Sequence, residues 1–131
     1  MVIPQEYLKT VFLIPGTSLV LPGSFAIITA WNPMDRPTSA KDNQLADESL
    51  RRSLELRHVS YFRVIGASPD LSHREPGWGT QMTKEDAITL ARRYNQRAIW
   101  WVAKDELTLI MCEDGSETQL GSFKLRMLGT P

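Results

Sequence analysis

The run Phe25-Ala26-Ile27-Ile28-Thr29-Ala30-Trp31-Asn32-Pro33 constrains this chain more than any other. Six apolar residues and one threonine end abruptly in an Asn-Pro turn. An apolar run of this length, bounded by turn residues, reads as a buried strand. We expect it to be the central strand. Its C-terminal end feeds a polar loop, Met34 to Ala40, which opens a helix. The mouth of this strand is the first place to look for a site.

The 131 residues suit one domain, 1–131, with enough core to fold without staples. Charge is balanced, 15 basic residues against 15 acidic. Nonspecific nucleic-acid binding, which draws its affinity from a basic surplus, is therefore not expected. Cys112 is the only cysteine, so no intramolecular disulfide forms, which fits a reducing cytoplasm. The N-terminus lacks a basic region ahead of an apolar one and does not read as a signal peptide. Pro15, Gly16, Pro22 and Gly23 interrupt the most apolar region, so no membrane span is expected.

Along the chain, Tyr7 to Ile14 is β-branched and aromatic enough for a strand, expected to pair with Phe25–Asn32 as a wide antiparallel hairpin. Ser18-Leu19-Val20-Leu21 could add a short piece. Thr38 or Ser39 caps the first helix, with Asp42 at capping-box spacing, and the helix runs to about Arg57. Ala46, Leu50 and Leu54 form its buried stripe, and Asp47, Glu48, Arg51, Arg52 and Glu55 its wet side. Tyr61–Gly66 reads as a strand and Ser68–Gly79 as a loop. Thr83 with Asp86 caps a second helix to Tyr94, and Asn95 takes the left-handed position behind it. Ala98–Ala103 and Leu107–Cys112 form a hairpin. Phe123, Leu125 and Met127 alternate along a last strand.

The resulting order is β-β-α-β-α-β-β-β. The fold class is α/β, with α+β left open: one mixed β-sheet flanked by two helices. Strand-helix-strand connections favour parallel pairs. The strands at Phe25, Tyr61 and Ala98 are accordingly expected to run in one direction. Leu50, Leu54, Ala87, Ala91, Ile28 and Ile65 should share one core. Trp100 and Trp101, adjacent on a strand, must face opposite sides of the sheet. If both helices cover one face only, a second copy is expected to cover the other, giving a homodimer.

Loops leaving the C-terminal ends of parallel strands gather on one edge, where ligands bind. Here they bring Asn32, Asp35, Arg36 and Ser39 on one side and His73, Glu75 and Trp78 on the other, each ahead of a helix N-terminus that favours anions. Asn43 falls on the buried stripe of the first helix and must be hydrogen-bonded, either to the Asn32-Pro33 loop or to a ligand. Glu75 is the stronger candidate for a general base and His73 the weaker; His-x-Glu is too common to be diagnostic. Trp78 could stack on a base or close over the core. Two histidines and one cysteine leave no metal signature, and there is no P-loop or GxGxxG, so no metal and no cofactor is expected. Asn32, Asn43 and Glu75 should converge on one edge. Gln96, between the second helix and a strand, should lie at the opposite edge and satisfy backbone. Gln96 beside the other three would sink the pocket, because the assumed strand directions would then be wrong.

Thr29-Ala30-Trp31-Asn32-Pro33, Asn43, Glu75-Pro76 and Asn95-Gln96 with Ala98-Ile99 together resemble the bacterial family catalogued as domain of unknown function 3293. The resemblance spans roughly Tyr7 to Cys112, and the Thr-Ala-Trp-Asn-Pro string is its most specific element. The family's usual Phe-Gly-Gln stands here as Tyr94-Asn95-Gln96, which keeps the left-handed position. Pro76 stands where a small residue such as Ser usually follows the acidic one. The resemblance implies a bacterial protein with a polar site at Asn32, Asn43 and Glu75, and implies no reaction.

Three functions compete. The leading one is a cytoplasmic binding module for a polar or anionic ligand at the sheet edge, through Asn32, Arg36, Ser39, Asn43 and Glu75. The second is a protein-interaction or inhibitory module using a Trp-rich sheet face. The third is a hydrolase or transferase on a nucleotide-like substrate with Glu75 as base. Whether the chain is an enzyme is left open. A strongly raised pKa at Glu75 in a deep pocket would favour the enzyme.

Overall fold

The structure is a computed structural model that describes residues 3–16 and 20–128. In chain order it contains α1 (Gln5–Lys9), β1 (Val11–Leu13), β2 (Ser24–Ile28), α2 (Ala40–Leu56), β3 (Tyr61–Ala67), β4 (Arg74–Thr80), α3 (Lys84–Arg93), β5 (Ala98–Ala103), β6 (Glu106–Met111) and β7 (Glu117–Ser122). Short 3₁₀ turns stand at Pro33–Asp35 and Lys124–Arg126. The seven strands form one sheet in the order β1-β3-β4-β2-β5-β6-β7. The expected class and order of elements are observed, in the α+β variant. Two elements are additional: α1 takes the start of the segment expected as the first strand, and β4 lies inside the segment expected as a loop.

Every neighbouring pair of strands is antiparallel. β4 pairs with both β2 and β3, so β2 and β3 run in the same direction with β4 between them. β2 likewise separates β4 from β5. The segment from β2 to β5 is thus a split β-α-β-β-α-β unit, the ferredoxin-like arrangement. Of the three strands expected to share a direction, β2 and β3 do and β5 does not. The unforeseen β4 reverses the chain once more before α3, so the crossover through α3 returns β5 along β4 and against β2. β1 pairs with β3, correcting the expected hairpin with β2.

Local chemistry explains the helices. Ser39 Oγ accepts from the Asp42 amide at 3.2 Å and Thr83 Oγ1 from the Asp86 amide at 3.1 Å, so both expected caps form. Asn95 is left-handed, with φ 55°, and the Gln96 amide donates to the Ala91 carbonyl while the Asn95 amide donates to that of Arg92. This is the paired closure that ends helices at a left-handed residue.

Residues of β2 alternate between two cores, as the pleat requires. Ala26 and Ile28 join Leu50, Leu54, Ala87, Leu90, Ala91 and Ile99 beneath α2 and α3. Burying each such leucine contributes roughly 1.5–3 kcal/mol. Ile65 lies outside this cluster and is only half-buried. Asp47, expected on the wet side of α2, is buried and receives two hydrogen bonds from Arg63, at 2.9 and 2.8 Å. The Arg63 guanidinium also lies over Trp78, 3.6 Å from the ring centroid. A carboxylate can leave water here because an arginine on β3 supplies both of its partners.

Phe25 and Ile27 face the other side, with Phe12, Val64, Val102, Leu107 and Phe123. Neither α2 nor α3 covers this face, and α1 only touches its border through Tyr7 against Trp100. The sheet curls over it instead: Phe12 bridges to Met127 beyond the far edge strand, and the Leu128 amide donates to the Phe12 carbonyl at 3.0 Å. Trp101 packs against the helix-side core and Trp100 against this one, on opposite faces as expected. The last strand lies earlier than expected, and Leu125 is 86% exposed on the closing 3₁₀ turn. Asp105 causes the shift: Ser122 Oγ and the Lys124 amide both donate to its carboxylate, ending the strand there. Of the Ser18–Leu21 piece, Ser18 and Leu19 lie outside the described residues, and Val20 and Leu21 belong to no strand.

Candidate functional site

A cleft of about 650 Å³ opens at the sheet edge where β2 and β3 end and β4 and β5 begin. Its apolar wall comes from the concave face: Phe12, Ile27, Val64, Ala98 and Trp100. Its polar wall includes Asn32, Asp35, His73, Glu75, Gln96 and Arg97, and α1 borders it with Glu6, Tyr7 and Lys9.

The polar wall is assembled from Asn43 outward. Asn43 is 3% exposed. Its Oδ1 accepts from the Asn32 amide at 2.9 Å, and its Nδ2 donates to Asn32 Oδ1 at 2.9 Å and to the Thr38 carbonyl at 3.2 Å. Asn32 Oδ1 also accepts from the Thr38 amide, which leaves Asn32 Nδ2 to donate to Glu75 Oε1 at 3.1 Å. Asn43 thus holds Asn32, and Asn32 holds Glu75. The loop carries strain, with Asn32, Met34 and Asp35 at φ 47°, 55° and 60°. Non-glycine residues in this region cost on the order of 1 kcal/mol each. The Met34 amide anchors the loop by donating to the Asn95 carbonyl at 2.8 Å.

Glu75 arrives on β4, which starts at the edge where β2 ends. Pro76 is tolerated inside this central strand for a specific reason. In an antiparallel strand one residue's nitrogen and carbonyl face the same neighbour. The Pro76 carbonyl accepts from Thr29 Oγ1 at 2.8 Å, beyond the last β2–β4 pair, Ile28 with Trp78. The missing N–H therefore faces a place where the ladder has already ended.

The Glu75 side chain is 27% exposed, and His73 Nε2 lies 3.5 Å from its Oε1. Burial pushes the Glu75 carboxyl above its usual range, against the opposing pull of the Asn32 amide and of His73. Beside it, the Asp35 carboxylate has two donors: the single Tyr7 hydroxyl, shared between its oxygens at 2.8 and 2.7 Å, and Arg97 Nη1 at 3.0 Å. Burial, then that bond to Asp35, raises the Tyr7 hydroxyl's pKa.

Asn32, Asn43 and Glu75 therefore come together in one hydrogen-bonded chain, with Asn43 behind the wall. Arg36 is exposed and lines no part of the cleft, and Ser39 is occupied as the cap of α2. Trp78 is buried in β4 and belongs to the core beneath α2 and α3, edge-on to Tyr61 at 5.2 Å, so it does not stack toward the cleft. Gln96 sits at this edge, contrary to expectation, because β5 runs against β2. Its Nε2 satisfies backbone as expected, donating to the carbonyls of Trp31 at 3.2 Å and Tyr94 at 3.3 Å. The place of Glu75 survives the reversal because it depended on β3, whose direction is as expected. Tyr7 and Arg97 are cleft residues that sequence reasoning missed; neither has a neighbouring signal, since Tyr7 meets Asp35 across 28 positions.

The family described as Protein of unknown function (DUF3293) matches residues 28–99, more than half of the chain. The chain belongs to this family. The DUF3293 span is narrower than the Tyr7–Cys112 resemblance, but it contains Asn32, Asn43, Glu75 and Gln96. The α1 border of the cleft lies outside it. No curated protein and no solved structure matches the chain. Among the described residues, no helix is long and apolar enough to cross a membrane, and no group of His, Cys, Asp and Glu is placed to hold a metal.

Proposed function

We propose that this chain is a single-domain binding module of the bacterial cytoplasm that holds a small polar ligand in the cleft at the sheet edge. The observation that carries the reading is the Asn43–Asn32–Glu75 chain. Two side-chain amides hold a mostly buried carboxylate against open space, where burial disfavours its charge. A fold has no structural need for a carboxylate so placed, whereas a concave, mostly apolar site with few convergent polar groups is what small ligands use. The lone Cys112 supports a reducing compartment. The anionic half of the ligand expectation has less support, since Arg36 and the N-terminus of α2 stand away from the cleft wall.

A fragment screen followed by amide chemical shifts tests this reading. Hits are expected to perturb Asn32, Glu75 and Ala98 together; hits scattered over the surface would overturn it.

One observation favours a second reading, the hydrolase or transferase on a nucleotide-like substrate. Burial moves Glu75 in the direction a general base needs, with His73 beside it. Glu75→Gln separates the two. A base loses on the order of a hundredfold or more in rate, whereas a module has no turnover to lose. The interaction reading needs an open tryptophan face, and Trp100 instead stands edge-on to Phe12 at 5.3 Å and Tyr7 at 6.1 Å.

A further inference from the structure

The chemistry of the inner wall narrows the ligand class, given the reading of the cleft as a small-molecule site. Gln96 is the informative residue. Its Nε2 donates to two backbone carbonyls, and carbonyls only accept, so the opposite end of that side chain is the oxygen. Gln96 is 8% exposed and lines the cleft, yet among the described residues Oε1 receives no hydrogen bond. That oxygen is also not sealed inside protein, since among the described residues the one buried side-chain atom without a partner is Trp78 Nε1. The cleft that Gln96 lines is the open space available to that oxygen.

Glu75 adds a second acceptor. Its Oε1 is held by Asn32, while Oε2 has no donor among the described residues. Gln96 and Asn32 hang on consecutive positions of one loop, because Gln96 binds the Trp31 carbonyl, so the two free acceptors belong to the same stretch of wall. Charge points the same way. Glu6, Asp35 and Glu75 line the cleft against the fixed cations Lys9 and Arg97, with His73 3.5 Å from Glu75 as the titratable neighbour, and Arg97 is committed to Asp35. The opposite wall, with Ile27, Ala98 and Trp100, is apolar.

We propose that the cleft takes a cationic amine or amidine: an apolar, preferably flat body against Trp100 and Ala98, and a protonated nitrogen head donating to Glu75 Oε2 and Gln96 Oε1. An anion placed there would face two unpartnered oxygens, one of them on the Glu75 carboxylate.

Benzamidine, benzamide and benzoate share a ring and differ in the head, so titrating each into ¹⁵N-labelled protein near neutral pH tests the class. Benzamidine is expected to shift the amides of Glu75, Gln96 and Ala98 saturably, with no comparable shifts from benzoate or benzamide. Glu75→Gln is expected to weaken benzamidine about tenfold or more, the worth of a charge-assisted hydrogen bond. In the unsubstituted protein, which avoids any folding defect of the variant, affinity should fall as the pH is lowered through the Glu75 titration. Benzoate or benzamide binding the cleft as tightly as benzamidine would overturn the cationic class and leave the small-molecule reading standing. Silence at these amides from all three probes, or benzamidine shifts confined to surface carboxylates elsewhere, would overturn both.

Discussion

Asn43 commits its whole side chain to the protein: one oxygen to a backbone amide, and one nitrogen to an amide oxygen and a carbonyl. Asn43→Ala leaves those partners buried and unpaired, and should destabilise the fold by about 1–3 kcal/mol in urea unfolding. Asn43→Asp should be at least as damaging, because it turns a carboxylate toward two oxygens. Glu75 is linked to pH in a defined direction. Its carboxyl is raised above the ordinary 4.5, so the folded state holds the proton more tightly than the unfolded chain does. The stability this contributes is complete below the unfolded value and is lost as the pH rises through the folded one. Glu75→Gln removes that dependence. The variant should therefore gain on the unsubstituted protein as the pH is raised from ~4 to ~8, by thermal unfolding at each pH; parallel curves would show that Glu75 is not buried as described.

The element that decides the site is β4, whose sequence Arg74-Glu75-Pro76-Gly77-Trp78-Gly79-Thr80 resembles a loop. Proline and two glycines are strand breakers on propensity alone. Packing explains the glycines. A Cβ on Gly77 would come within 2.7 Å of the Ile28 carbonyl oxygen, and one on Gly79 within 2.3 Å of the Phe62 ring. Gly79→Ala should cost about 1–3 kcal/mol, as overpacking does, and less in a Phe62→Leu background, as a double-mutant cycle would read. Equal costs in the two backgrounds would mean that Phe62 is not the obstacle. α2 shows the opposite case, for its cap and its Leu50 and Leu54 stripe were legible from spacing, and only the Asp47–Arg63 pair was hidden.

Closure of the sheet removes the reason for a homodimer at the scale of the molecule. That expectation rested on a sheet face left open by the helices. Phe12, Phe25 and Phe123 fill that face, with ring centroids 5.1 Å apart for Phe12–Phe123 and 5.6 Å for Phe25–Phe123. Sedimentation at micromolar concentration should accordingly show a monomer. A stable dimer would have to use another surface, and would place the argument from face coverage in error.

Periodicity and capping are local, which is why α2, α3, the left-handed Asn95, the β5–β6 hairpin and the inward Asn43 could be read residue by residue. Even the meeting of Asn32 with Glu75 was legible, since it needed only the relative direction of β2 and β3. The side of the sheet on which Gln96 appears, the seat of Glu75 on a strand, and the Tyr7–Asp35–Arg97 contact were not legible. Each depends on how many times the chain reverses between β3 and β5, and on an edge closing over the concave face. A strand that propensity opposes is stabilised by neighbours distant in sequence, so its existence is settled by the close approach of Phe62 and Ile28 to backbone that carries no Cβ.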